Sequence, residues 1–163
     1  SLKIEGRMKS IFYVATIIAA YRKAIDAYYE DPKGYVFKQE WMDEMKKVSH
    51  REFTTGFYFN NPTNKDQNYR TSAYTRDYTF TGLVKEYNPD TGYAIVEQRN
   101  KMVLGDEIEV FGPGKDFFVQ KLNEMYDEEG NAISQAPHPQ QILKIKMDYP
   151  VEENFMLRKK KEK

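Results

Sequence analysis

Between Ile11 and Tyr28 apolar residues recur at alternating spacings of three and four: Ile11, Val14, Ile18, Tyr21, Ile25 and Tyr28. This period predicts a helix of about five turns, with Ser10 as its N-cap. Tyr13, Ile17, Ala20 and Ala24 form a second apolar row, so the helix is expected to pack on two sides, with one partner lying outside the fragment. Asp31-Pro32-Lys33-Gly34 ends it. A shorter helix is predicted over Gln39–Val48, where Trp41, Met45 and Val48 share a stripe and Glu40, Asp43, Glu44, Lys46 and Lys47 face solvent.

From Phe80 the pattern shortens to strand-like runs. Gly82–Tyr87 and Tyr93–Arg99 flank Asn88-Pro89-Asp90-Thr91-Gly92, a hairpin turn in which proline presets one backbone angle and glycine permits a positive one. In Glu107–Phe111, Ile108 and Val110 alternate with Glu107 and Glu109. Gly112-Pro113-Gly114 then turns the chain into a fourth run, Phe117–Tyr126, and Asp127–Asn131 suits a hairpin tip from which Ala132–Ala136 returns. Leu143, Ile145 and Met147 alternate with Lys144 and Lys146, and Asn154–Arg158 supplies a closing strand, beyond which the tail is expected to fray. The fold class is therefore α+β: a helical segment over 1–61, a polar linker over 62–77, and over 78–163 a small antiparallel β-barrel of about six strands, closed so that no edge is left open.

Composition adds exclusions. The chain has 163 residues, no cysteine and two histidines, which leaves no thiolate nucleophile or disulfide and makes a conventional zinc site improbable; no metal or other cofactor is expected. The lack of cysteine reads as a cytoplasmic location, and the most apolar run, Ile11–Tyr21, is far shorter than the roughly 20 residues that cross a bilayer, so no membrane partner is expected. Net charge is zero. It is unevenly spread, with 13 Lys+Arg against 10 Asp+Glu up to Asp77 (net +3) and 12 against 15 from Tyr78 (net −3), so an anionic partner should prefer the first part. The chain opens on serine rather than methionine, as an excised piece would, and Ile4-Glu5-Gly6-Arg7 also matches a processing-protease site used in cloning.

No catalytic constellation is visible. His50 and Arg51 are weak catalytic candidates, because an imidazole moves protons near neutral pH and a guanidinium holds a carboxylate or phosphate bidentately, yet no nucleophile stands beside them. The structural alternative has them bonding the last carbonyls of the preceding helix. Lys3, Glu5 and Arg7 line a substrate pocket or are simply solvated. His138, between two prolines, reads as a turn residue. The aromatics of Phe53–Phe59 and Tyr69–Phe80, with Arg70 and Arg76 among them, suit either core packing or contact with bases and phosphates. Glu107 and Glu109 share a strand face, exposed and without an acid–base partner, which does not support glycosidase chemistry.

S-L-K-I-E-G-R-M-K-S at Ser1–Ser10, Tyr13-Val14-Ala15 with Ala20-Tyr21-Arg22, and V-S-H-R-E-F-T-T-G-F at Val48–Phe57 resemble the C-terminal part of the collagenase-like peptidase family, family U thirty-two. The barrel portion carries the resemblance through Leu104-Gly105-Asp106 and its strand spacing. The resemblance makes Ile4–Arg7 native. It implies a bacterial protein whose larger, cysteine-bearing N-terminal catalytic domain is missing from this chain and is its chief partner. The family is named for protease activity, and some members are tied to hydroxylation of a tRNA uridine using prephenate. Lys3, Glu5, Arg7, His50 and Arg51 fall within the family-like motifs, and the barrel looks like the second domain of translation elongation factors, by fold analogy. The expected role is an accessory module that helps a larger enzyme recognise substrate, tRNA or another RNA, without catalysing. A peptidase whose site includes His50, and an oligomerisation or protein-binding barrel, are the alternatives, and the oligomeric state is left open.

Overall fold

The computed structural model describes residues 2–48, 50, 53–59, 61, 63 and 77–161. It divides into two compact units, Ser1–Asp77 and Tyr78–Lys163.

In the first unit helix α1 spans Ile11–Glu30, and the Ser10 hydroxyl caps it by accepting from the Tyr13 N–H at 3.3 Å. The buried face consists of Phe12, Thr16, Ile17 and Ala20. The more extended of the two apolar rows is thus the outer one: Ile11, Ile18, Tyr21 and Tyr28 are each at least 40% exposed. Periodicity marks both rows as apolar, but the row that faces the rest of the unit is decided by tertiary packing, here partly against helix α2.

Helix α2 spans Gln39–Lys46 and ends two residues before Val48, where Lys47 N–H turns back to the Glu44 carbonyl at 3.0 Å. Such an i→i+3 bond tightens and closes a last turn. Val48 is still buried, as its place in the apolar stripe requires, but outside the helix. Trp41 is the buried anchor, with Tyr35 stacked on it at 6.2 Å and Phe37 set edge-on at 5.7 Å. Among the described residues no helix is long and apolar enough to cross a membrane.

The second unit is built from nine short strands among the described residues: β1 Tyr78–Asn88, β2 Tyr93–Gln98, β3 Met102–Val103, β4 Glu107–Phe111, β5 Phe118–Lys121, β6 Met125–Tyr126, β7 Gln135–Ala136, β8 Ile142–Lys146 and β9 Met156–Lys160. Seven form one antiparallel sheet in the order β5-β4-β9-β1-β2-β8-β6, and β3 pairs with β7. The fold is therefore α+β with a curled, barrel-like sheet.

The β1–β2 hairpin forms where the turn residues place it. Asn88 Oδ1 accepts from the N–H groups of Asp90 and Thr91, and Gly92 takes φ +69°, a left-handed angle that glycine adopts without steric cost. The long apolar run Phe117–Tyr126 does not form one strand. Leu122–Glu124 interrupts it, so that β5 pairs with β4 while β6, only three residues later, pairs with β8 at the other end of the sheet order.

Gln120 joins the same two regions. Its Nε2 donates to the Lys146 carbonyl at 2.9 Å and its Oε1 accepts from the Asp148 N–H at 3.1 Å, so one buried side-chain amide supplies what a neighbouring strand's backbone would. Inside the curl Val84, Val96, Ile108, Val110, Leu143, Ile145 and Leu157 have no exposed surface and pack with Phe155. Along β2, β4 and β8 they alternate with less buried residues, the period of two that the sequence carries, whereas β1 and β9 bury Thr81–Val84 and Met156–Arg158 in unbroken runs.

Candidate nucleic-acid interface

Leu104-Gly105-Asp106 joins β3 to β4, and its chemistry shapes one wall of a groove. Gly105 sits at φ +91°, where any side chain would be strained. Its N–H donates to the Leu122 carbonyl at 2.7 Å, and Leu122 N–H returns a bond to the Asp106 carbonyl at 2.9 Å. The Asp106 carboxylate then has two jobs through Oδ2: it accepts from Val103 N–H at 2.9 Å, closing the turn, and holds the Lys159 ammonium at 2.6 Å.

Lys159 comes from β9, which lies between β1 and β4, with Lys159 opposite Thr79 and Lys160 opposite Tyr78. The resulting groove has a volume of about 900 Å³ and is lined by Tyr78, Thr79, Lys101, the 103–107 turn, Glu109 and Lys159–Lys161. Two of its three carboxylates are ion-paired, Asp106 with Lys159 and Glu109 with Arg158. That leaves the exposed ammonium groups of Lys101, Lys160 and Lys161 against Glu107, and none of these three lysines is ion-paired with a described carboxylate. Positive charge is thus concentrated here although the unit's formal balance is −3 (12 Lys+Arg against 15 Asp+Glu). Closely spaced like charges of this kind attract an anionic ligand over roughly a Debye length, about 8–10 Å.

The groove's aromatic wall is fixed from behind. Tyr78 OH donates to Glu109 Oε1 at 3.1 Å, and Glu109 Oε2 takes both Nε and Nη2 of Arg158, at 2.7 and 2.6 Å. Arg158 is fully buried, with its guanidinium carbon 4.5 Å from the Phe111 ring centroid, 5.5 Å from that of Tyr78 and 5.6 Å from that of Phe117. Glu109 is therefore neither exposed nor unpaired, as its alternation with Ile108 and Val110 had implied; its partner lies 49 residues away in sequence. Nor does regular structure stop at Arg158, because β9 continues through Lys160.

The residues singled out from sequence stand elsewhere. His50 Nδ1 donates to the Val48 carbonyl at 2.8 Å, and the ring stacks on Phe53 at 4.9 Å with an interplanar angle of 3°. This holds the imidazole at a chain bend, with one nitrogen committed. Lys3, Glu5 and Arg7 are exposed on the segment before α1, where the Glu5 carboxylate accepts from the Arg7 N–H at 2.8 Å. Gly6 between them packs so closely on α1 that a Cβ would meet Val14 Cγ2 at 2.7 Å. Arg51, Arg70 and Arg76, and almost all of the 62–77 linker, lie outside the described residues. No described contact brings His50 together with Lys3, Glu5 or Arg7. Among the described residues no group of three His, Asp or Glu side chains is placed to hold a metal ion.

The groove lysines were missed by sequence reasoning because Lys159–Lys161 look like a solvated tail and Lys101 like a loop residue. The one available signal was Asp106 after Leu104-Gly105, a turn residue with a carboxylate to spare.

Fold and groove together define a two-unit α+β protein whose second unit is a barrel-like module with a cationic groove at one end of its strands. Residues 76–158 match the Peptidase family U32 C-terminal domain and residues 1–68 match Peptidase family U32. The chain belongs to peptidase family U32.

Among curated proteins, the chain is 44% identical over 161 residues to tRNA hydroxylation protein P1 of Bacillus subtilis (strain 168), covering 99% of this chain and 38% of that protein. It is 30% identical over 124 residues to a collagenase of Porphyromonas gingivalis, covering 76% of this chain and 34% of the relative. The chain thus spans little more than a third of either relative's length. Among solved structures, the C-terminal domain of a Geobacillus thermoleovorans protein described as a U32 peptidase is 45% identical, with a TM-score of 0.49, covering 50% of this chain and 92% of that one. The expectation of a missing N-terminal domain of the same chain as chief partner is not borne out: models of both U32 regions match within this chain.

Proposed function

We propose that this chain is a non-catalytic, substrate-recognising part of a cytoplasmic U32-family protein and that its substrate is RNA, held through the groove at the 103–107 turn. The observation that carries this reading is the set of exposed ammonium groups on Lys101, Lys160 and Lys161, none ion-paired with a described carboxylate, beside the fixed ring of Tyr78. Lysines on a groove neutralise phosphates and release counterions, which supplies affinity without base specificity. The similarity to a tRNA hydroxylation protein makes tRNA the first RNA to try.

In this reading the units meet within a linker at 62–77, with the helical segment at 1–61 and the barrel at 78–163. Arg70 and Arg76 add phosphate contacts from the linker. Lys3, Glu5, Arg7 and Arg51 serve the substrate pocket of the whole protein. The likeness of the curled sheet to the second domain of translation elongation factors belongs to the same reading.

Fluorescence anisotropy with labelled bulk bacterial tRNA at low salt tests it. Saturable binding, weakened at least tenfold in a Lys101→Ala, Lys160→Ala, Lys161→Ala triple variant that unfolds at the wild-type temperature, is the expected result. Absence of binding by the intact chain would overturn it. Hydrolysis of gelatin by the same chain, lost on His50→Ala, would instead favour a peptidase.

A further inference from the structure

The outer face of β2 and β8 carries a second aromatic and cationic cluster. Alternation along β2 buries Ala94 and Val96 and turns Tyr93 and Ile95 outward, while on β8 it buries Leu143 and Ile145 and exposes Lys144 and Lys146. The strands pair with Tyr93 opposite Lys146 and Ile95 opposite Lys144. As a result two ammonium groups approach one ring: Lys144 Nζ lies 4.7 Å and Lys146 Nζ 5.0 Å from the Tyr93 centroid.

The ring is held in place. Tyr93 OH donates to Glu124 Oε1 at 2.8 Å, Tyr126 OH donates to the other oxygen of the same carboxylate at 3.0 Å, and the two rings meet edge-on at 6.1 Å. Donation to Glu124, then desolvation, pushes the Tyr93 hydroxyl up to about 12, so the phenol is neutral at any physiological pH. Lys146 Nζ also donates to the Thr91 carbonyl, which fixes one of the two cations beside the turn. Neither lysine is ion-paired with a described carboxylate. Glu124 keeps its charge while it accepts from two neutral donors, and Asp127, Glu128 and Glu129 line a pocket with Ile95 and Lys144, so the cations are placed beside carboxylates without a direct pair.

We propose that this face is a second RNA subsite, in which the Tyr93 ring stacks a base of a single-stranded segment and Lys144 and Lys146 hold the flanking phosphates. Stacking on a preset aromatic with adjoining cations is the general chemistry of single-strand binding, and it tolerates any base. The inference rests on the RNA reading of the chain and adds to it a place and a single-stranded substrate class. β1 runs from Tyr78 in the groove to Asn88, the register partner of Tyr93. At about 3.3 Å per residue that is roughly 30 Å of strand. The two sites are far enough apart for substitutions in them to act independently.

The test uses the intact chain, a fluorescein-labelled oligouridylate of about eight nucleotides and bulk tRNA. Tyr93→Leu, and separately the pair Lys144→Ala with Lys146→Ala, should each weaken oligouridylate binding about tenfold, whereas Tyr93→Phe, which keeps the ring, should stay within about threefold of wild type. The lysine pair is exposed, so it reports even if Tyr93→Leu perturbs the fold. Oligouridylate affinity unchanged in both face variants, with tRNA still lost in the groove variant, would overturn this subsite and leave the groove reading standing. Binding of neither RNA by the wild-type chain would overturn both.

Discussion

Arg158 has no exposed surface, and its guanidinium meets the Glu109 carboxylate through Nε and Nη2 at 2.7 and 2.6 Å, on the strand next to its own. A buried charge of this kind is tolerable only with its partner in place, since desolvation costs several kcal/mol per ion. Glu109→Ala should therefore destabilise the second unit by about 3–5 kcal/mol. Arg158→Met, which removes the charge and keeps an unbranched apolar chain among Phe111 and Phe117, should cost clearly less. Urea denaturation of the two variants checks the order, and equal losses would mean that the Glu109 carboxylate left alone costs as much as the Arg158 guanidinium left alone.

Gln120 substitutes for backbone pairing between β5 and the end of β8. Replacing it with alanine removes both bonds, and because Lys146 and Asp148 are exposed residues, water can take up the freed carbonyl and N–H. A loss of about 1–2 kcal/mol is expected, together with faster hydrogen exchange at the Asp148 amide. Unchanged exchange there would show that the sheet holds its curl without this side chain.

Gly105 adopts φ +91°, and an added Cβ would find room, its nearest neighbour being Lys121 Cε at 3.8 Å. Any cost of Gly105→Ala is thus conformational. A loss of about 1–2 kcal/mol follows from the left-handed angle, and a urea midpoint equal to wild type would rule that strain out.

Tyr93 should titrate late. Its hydroxyl is raised from an ordinary 10.0 to about 12, first because it donates to Glu124. A raised value means that the neutral form stabilises the fold fully below pH 10 and that this contribution is lost as the pH climbs toward 12. Tyrosine ζ-carbon resonances followed by NMR should show Tyr93 ionising above the exposed tyrosines, and Glu124→Gln should bring its midpoint down toward 10. A Tyr93 midpoint that ignores the substitution would contradict the hydrogen bond.

What could be read in advance was local. The 88–92 turn is legible because Asn88 and Gly92 carry its chemistry within five residues, and the alternation of Leu143, Ile145 and Lys144 is legible because burial repeats every second residue. Helix α1 was legible as a helix but not in its orientation, since both of its apolar rows satisfy the same period. The break at Leu122–Glu124 left no mark, because the residues on either side continue the same mixture of apolar and polar positions. The groove was the least legible feature. Asp106 and Lys159 stand 53 residues apart, and only strand order makes them neighbours. In the same way Arg158, at the head of a basic run, reads as solvated until the rings of Tyr78, Phe111 and Phe117 are folded around it.

The central claim is that Lys101, Lys160 and Lys161 hold phosphates, and the salt dependence of tRNA binding tests it most directly. Each lysine that neutralises a phosphate should contribute roughly 0.7–0.9 to the slope of log affinity against log salt concentration. The triple alanine variant should therefore bind more weakly at low salt and with a slope shallower by roughly 2–3. Weaker binding with an unchanged slope would mean that these lysines shape the groove without touching phosphate, and unchanged binding would place any RNA contact elsewhere on the chain.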